Sequence, residues 1–190
     1  MIKQVTTRPQ SNKLTTTSYI ILGMVALRGP STPYDLKRAV GRSIGYFWPF
    51  PHAQIYSEPE RLVTAELLQV ELEAGGRHRR TYSITNDGWC QLRDWLKTPV
   101  AEVFQIRNVA EIKLFFAELG SPSDVVELAR QQVASHRERL ATFEAMQKRF
   151  ANQSELAPRL IPLALGLELE RVALKFWEAQ IPNDGERKDA

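Results

Sequence analysis

The chain has 190 residues, of which 43% are hydrophobic and 25% charged, with a formal net charge of +3. These proportions exclude a disordered or membrane-like protein, and no apolar run approaches the roughly 18 residues that a bilayer-spanning helix needs. A single cysteine, Cys90, leaves no intramolecular disulfide to form, which fits a reducing compartment. The N-terminus has no apolar core after Lys3, so a secretory leader is not expected and the expected location is cytoplasmic, with no membrane partner.

Charge is unevenly placed. Residues 1–98 carry 13 basic and 8 acidic side chains, whereas residues 99–190 carry 12 and 14. A basic front joined to a slightly acidic rear suggests a polyanion partner for the front. Residues 1–16 are polar and aperiodic, as expected of a flexible arm. Ile20, Ile21, Met24, Val25 and Leu27 then recur at helical spacing, with Thr17 or Ser18 as N-cap and Gly29-Pro30 as terminator. A second short helix starts from Ser31 or Thr32, has Pro33 in its first turn, and ends at Gly41. The next stretch, RSIGYFWPFP, is too rich in Gly and Pro for a helix; its aromatics (Tyr46, Phe47, Trp48, Phe50) predict an ordered loop folded against the core. A third helix is expected from His52 to Leu67, with Ile55, Leu62 and Val63 inward and Gln54, Ser57, Glu58, Arg61 and Ala65 on the other face. Pro59 lacks a backbone donor and crowds the carbonyl of Ile55, which predicts a kink or a start near Ser57.

The period then changes from 3.6 to 2. Leu68, Val70 and Leu72 alternate with polar residues, as do Tyr82 and Ile84 after Gly75-Gly76, which predicts a β-hairpin. Arg77, His78, Arg79 and Arg80 follow one another beside its tip. A fourth helix, capped by Thr85 or Asn86 and ended by Thr98-Pro99, turns Trp89, Leu92, Trp95 and Leu96 inward, with Cys90 as a small core residue. Helix, helix, helix, hairpin and helix make the plan of a winged helix-turn-helix, whose third helix enters the major groove while the hairpin lies along the phosphates.

The rear half reads as all-helical. NVAEIKLFFAELG gives a short helix, and a long one runs from Pro122 to about Asn152, with Val126, Ala129, Val133, His136, Leu140, Phe143, Gln147 and Phe150 forming a coiled-coil-like seam. A last helix, about Arg159 to Ile181, places Leu163, Leu167, Leu174 and Trp177 on one face and Glu168, Arg171, Lys175 and Glu178 on the other. Two amphipathic helices with little in their own subunit to cover them predict self-association.

YIILGMVALRGPSTPYDLKRAV, QIYSEPERLVTAELL, GRHRRTYSITNDGWCQLRDWL, IKLFFAEL and LELERVALKFW together resemble the PadR-like family of bacterial regulators, in its branch with a long C-terminal domain. The resemblance covers roughly Thr17 to Ile181. It implies a mainly α fold, with a winged-helix N-terminal domain, a helical dimerisation domain and a transcriptional, usually repressive, role. Two departures stand out: Glu66 where many relatives have Gly after the third helix, and Pro59 flanked by Glu58 and Glu60. The expected organisation is an arm (1–16), a DNA-binding domain (17–98), a dimerisation domain (99–182) and a disordered tail (183–190).

The expected function is that of a homodimeric regulator, a repressor, on a near-palindromic double-stranded DNA site. Gln54, Ser57 and Arg61 are the candidate base contacts, since glutamine suits adenine and arginine suits guanine. Tyr56, Lys37, Arg38, Arg77, His78, Arg79 and Arg80 are candidate backbone contacts. Trp95, Phe115, Phe116, Phe143 and Trp177 could line a pocket for a small apolar or aromatic effector, or pack as plain core at a dimer interface. His52, His78 and His136 lack partners at ligand spacing, so no metal or cofactor is expected. With no catalytic constellation or nucleotide fingerprint, neither is an enzyme. The rival reading is a winged-helix protein-interaction adaptor without DNA binding, for which Glu58 and Glu60 speak.

Overall fold

A computed structural model describes residues 13–49, 51–73 and 79–182. The chain divides between Glu102 and Val103 into two compact units.

The first unit opens with α1 (Thr16–Arg28). Thr15 is its N-cap, closing a capping box with Ser18, and Gly29 ends it at φ 77°. Thr32, not Ser31, caps α2 (Pro33–Gly41), again through a capping box, here with Asp35. A 3-10 turn at Ile44–Tyr46 leads to α3 (His52–Thr64), which runs unbroken through the buried Pro59. Strands β1 (Leu68–Leu72) and β2 (Arg80–Ile84) pair antiparallel, with Leu68 opposite Ile84 and Val70 opposite Tyr82. Ser31 adds an isolated bridge to Tyr82, and α4 (Asn86–Lys97), capped by Thr85, closes the unit. The core gathers Ile21, Leu22 and Val25 of α1, Leu36 of α2, Ile55 and Leu62 of α3, Leu68, Tyr82 and Leu92.

The turn from α3 into β1 has a backbone reason. The N–H of Leu67 donates to the carbonyl of Leu62 and that of Glu66 to Val63, a Schellman closure whose penultimate residue must be left-handed. Glu66 takes that position at φ 61°, the sole positive φ outside glycine among the described residues. Gly88 is required for another reason: a Cβ there would lie 2.2 Å from the carbonyl oxygen of Leu67.

Expectations of burial fail at three places in this unit. Tyr46, Phe47 and Trp48 are exposed, so these rings of the aromatic loop do not join the core, although Ile44 packs on it; Phe50 lies outside the described residues. Of the four residues assigned inward on α4, only Leu92 is buried; Leu96 is exposed, and Trp89 and Trp95 are more than a third exposed, Trp95 lying flat on Tyr19 at 4.7 Å between ring centroids. Cys90 is exposed as well. A helix lying on one side of a small core can bury only a narrow stripe, and the 3.6-residue period gives the spacing of that stripe but not its width.

The second unit contains α5 (Val109–Phe115), α6 (Pro122–Phe150) and α7 (Ala157–Glu178). Helices α6 and α7 form an antiparallel hairpin: Arg137 pairs with Glu178, His136 with Glu170 and Arg171 with Glu144, and the ring of Phe143 rests where Gly166 leaves room for it. Glu170 is buried and held by His136 Nδ1 at 2.6 Å and Arg139 Nε at 2.9 Å. The seams predicted to need a second subunit cover one another instead, with Ala129, Val133, Phe143, Leu167 and Trp177 all buried. Large apolar side chains that stay uncovered include Ile161, Leu165, Leu169, Val172 and Phe176 along the outside of α7, Val109, Ile112 and Phe115 on α5, and Phe116 just after it.

Candidate nucleic-acid interface

The capping box that starts α2 also sets the wing. Thr32 donates its N–H and hydroxyl to Asp35 Oδ2; these bonds, the side-chain one foremost, hold the Asp35 carboxyl below its usual range. Arg79, just before β2, reaches the same oxygen at 3.5 Å. One residue on, Arg80 pairs with Glu60 of α3, which also accepts the Tyr82 hydroxyl at 2.6 Å. Burial of the ring, and then that bond, push the Tyr82 phenol up to about 12, while Tyr82 and Arg80 together hold Glu60 low. The base of the wing is thereby tied to both α2 and α3.

Helix α3 turns Ile55, Pro59 and Leu62 to the core and leaves Ala53, Gln54, Tyr56 and Ser57 exposed. Gln54 accepts a hydrogen bond from Thr17 at 3.0 Å, and Ser57 donates to the carbonyl of Ala53 at 3.4 Å; both side chains remain open to solvent. Arg61 is placed otherwise. It donates twice to Glu58, at 2.6 and 3.1 Å, and once to the buried Ser18 of α1, at 2.6 Å, so it joins α3 to α1 instead of extending from the outer face. Glu58 and Glu60, the acids that argue against a polyanion partner, are thus engaged within the unit.

Lys37, Arg38, Arg79 and Arg80 are all exposed, with Arg38 over the ring of Tyr34. Arg77 and His78 lie outside the described residues. The aromatic candidates separate. Trp95 belongs to the first unit. In the second, Phe143 packs on Gly166 and Trp177 sits among Ala110, Ala129 and Val133. Phe115 is exposed, and Phe116 lines an open groove of about 520 Å³ between α5 and α6 with Ile112, Val125 and Leu128. Sequence reasoning missed the partners of Glu60 and Arg61. The available signal was Tyr82, an inward residue of β2 whose hydroxyl needs an acceptor. No group of three or more potential metal ligands occurs among the described residues, and none of their helices is long and apolar enough to cross a membrane.

The family model for the virulence activator alpha C-terminal region matches residues 106–180. The probable transcriptional regulator Rv1176c of Mycobacterium tuberculosis is 33% identical over 144 residues, covering 66% of this chain and 73% of that protein. The crystal structure of Bacillus subtilis PadR in complex with operator DNA has the same fold, with a TM-score of 0.79 at 21% identity over 87% of this chain and 96% of that one. The same regulator in complex with p-coumaric acid gives 0.74 at 22% identity, over 87% and 96%. The motifs, the winged-helix architecture and these relatives lead to one conclusion: the chain belongs to the PadR-like family of winged-helix transcriptional regulators.

Proposed function

We propose that the protein represses transcription by binding a near-palindromic operator as a homodimer, with α3 of each copy in a major groove. The observation that carries this reading is the exposed Gln54–Tyr56–Ser57 face of α3, joined through Glu60 and Arg80 to a wing that Arg79 and Asp35 join in turn to helix α2. Gln54 and Ser57 read base edges, Tyr56 bonds a phosphate, and Lys37, Arg38, Arg79 and Arg80 neutralise the backbone. Exposed ion pairs such as Arg79–Asp35 and Arg80–Glu60 contribute little, so a phosphate can replace the carboxylate. Arg61 is left out of base reading because its guanidinium is spent on Glu58 and Ser18. Pairing of two copies through the outer stripe of α7 and the apolar side of α5 supplies the twofold symmetry that a palindrome mirrors.

Binding should fall steeply with salt. In anisotropy titrations with a labelled duplex, replacing Arg79 and Arg80 together by Ala should lower the slope of log K against log salt by about two. Gln54→Ala should cost roughly 1–3 kcal/mol on the operator and nothing on unrelated DNA. Equal losses on both duplexes would remove α3 from base reading. The α5–α6 groove is lined by the apolar Ile112, Phe116, Val125 and Leu128 together with Lys113, Asp124 and Glu127; its apolar side chains suit a small aromatic ring, and aromatic acids are the probes to use, in keeping with the PadR complex with p-coumaric acid. Release of bound duplex on adding such acids is the expected effect.

A further inference from the structure

We propose that Phe47 and Trp48, in the loop between α2 and α3, form an apolar contact with the DNA duplex beside the groove that α3 enters, packing on deoxyribose faces and thymine methyl groups. The inference rests on the reading of α3 as the base-reading helix.

The side chains are exposed although the backbone that carries them is fixed. Phe47 and Trp48 are 59% and 40% exposed, yet both their N–H groups donate to the carbonyl of Ile44, at 3.1 and 2.8 Å, and Ile44 packs on the core. Ser43 anchors the entry by donating its hydroxyl to Ala39 at 2.7 Å. Gly45 lets the loop close on Val40, whose carbonyl oxygen would stand 2.9 Å from a Cβ. Pro49 and Pro51 stiffen the exit, and Pro51 is itself the N-cap of α3. Two adjacent large rings held out from a fixed backbone make a contiguous apolar patch, the kind of surface that marks an interaction site.

Charge selects the occupant. From Leu36 to Ser57 the sequence contains Lys37, Arg38 and Arg42 and no carboxylate. An apolar protuberance in a purely cationic stretch suits a surface whose edges are phosphates and whose floor is sugars and methyl groups. It is also continuous in the chain with Gln54, Tyr56 and Ser57. Thymine offers a methyl group for such contact in the major groove.

The test uses the full-length protein, a duplex that the wild type selects from a random pool, and the same duplex with uracil in place of thymine. Trp48→Ala and Phe47→Ala should each weaken binding about tenfold at an unchanged salt slope, because no ion pair is lost. Uracil substitution should weaken the wild type and affect the variants less. Because both side chains are exposed, melting temperatures should stay at the wild-type value, and any variant that fails this check is replaced by Trp48→Gln or Phe47→Gln. Wild-type affinity in both variants overturns the proposal, as does a reduced salt slope or a changed sedimentation coefficient, the mark of a protein interface. If the Arg79/Arg80 double variant weakens binding while Trp48→Ala and Phe47→Ala do not, this inference alone falls. If the wild type selects no duplex, it falls together with the reading of α3.

Discussion

At Glu66 the backbone is held left-handed at φ 61°, where a Cβ costs roughly 1–2 kcal/mol and glycine's greater freedom in the unfolded chain offsets part of the gain from removing it. Glu66→Gly should therefore stabilise the first unit by roughly 0.5–1 kcal/mol in denaturant unfolding, and Glu66→Ala, which keeps the Cβ, should not. A destabilised glycine variant would show that the exposed carboxylate matters more than the strain. The departure from the family's glycine is visible in sequence; its cost is not, because only the Schellman closure shows that this position is the left-handed one. Tyr82 and Glu60 give opposite dependences on pH. The phenol is raised to about 12, so its contribution is complete below the ordinary phenol pKa near 10 and is lost as pH rises towards 12. The carboxyl of Glu60 is lowered, so its contribution is complete above the ordinary carboxylate range and is lost as pH falls through the lowered value. Tyr82→Phe should cost about 1.5 kcal/mol at neutral pH and flatten the alkaline decline. An equally steep decline in that variant would assign the titration to another group.

Among the elements, α7 shows how far periodicity reaches. Its inward positions, Leu163, Leu167, Leu174 and Trp177, follow from spacing alone, and α6 supplies their cover. The sequence could not tell that the two seams would meet each other, because a helix pattern gives a face and not its partner. The second apolar stripe, Ile161, Leu165, Leu169, Val172 and Phe176, shares the helix with the inward face and with Glu168, Arg171, Lys175 and Glu178, so a reading into two faces passes over it. Helix α3 is the converse case: Arg61 stands at an outward position by count, but a long guanidinium can reach back to Ser18. If the outer stripe of α7 joins two copies, Leu165→Glu with Val172→Glu should yield a monomer by sedimentation. The wild type should melt at a temperature that rises with protein concentration, and the double variant should not. Concentration-independent melting of the wild type would place the dimer contact elsewhere or nowhere.

For the molecule as a whole, the winged-helix order and the helical rear were legible because each rests on local signals: caps, Gly and Pro punctuation, and a change of period at Leu68. Less legible was everything that depends on which surface faces which, including the outward loop at Tyr46–Trp48. The clasp of Glu170 by His136 and Arg139 bears on this level too. Removing charges from water offsets most of what a buried ion pair gains, so the clasp adds little to stability. It acts as a ruler. A wholly aliphatic hairpin could slip by one turn, about 5.4 Å, and still bury its seam, whereas here a slip would leave the buried Glu170 without His136 and Arg139. The hairpin is thus confined to a single register, so the outer stripe of α7 is presented at one setting.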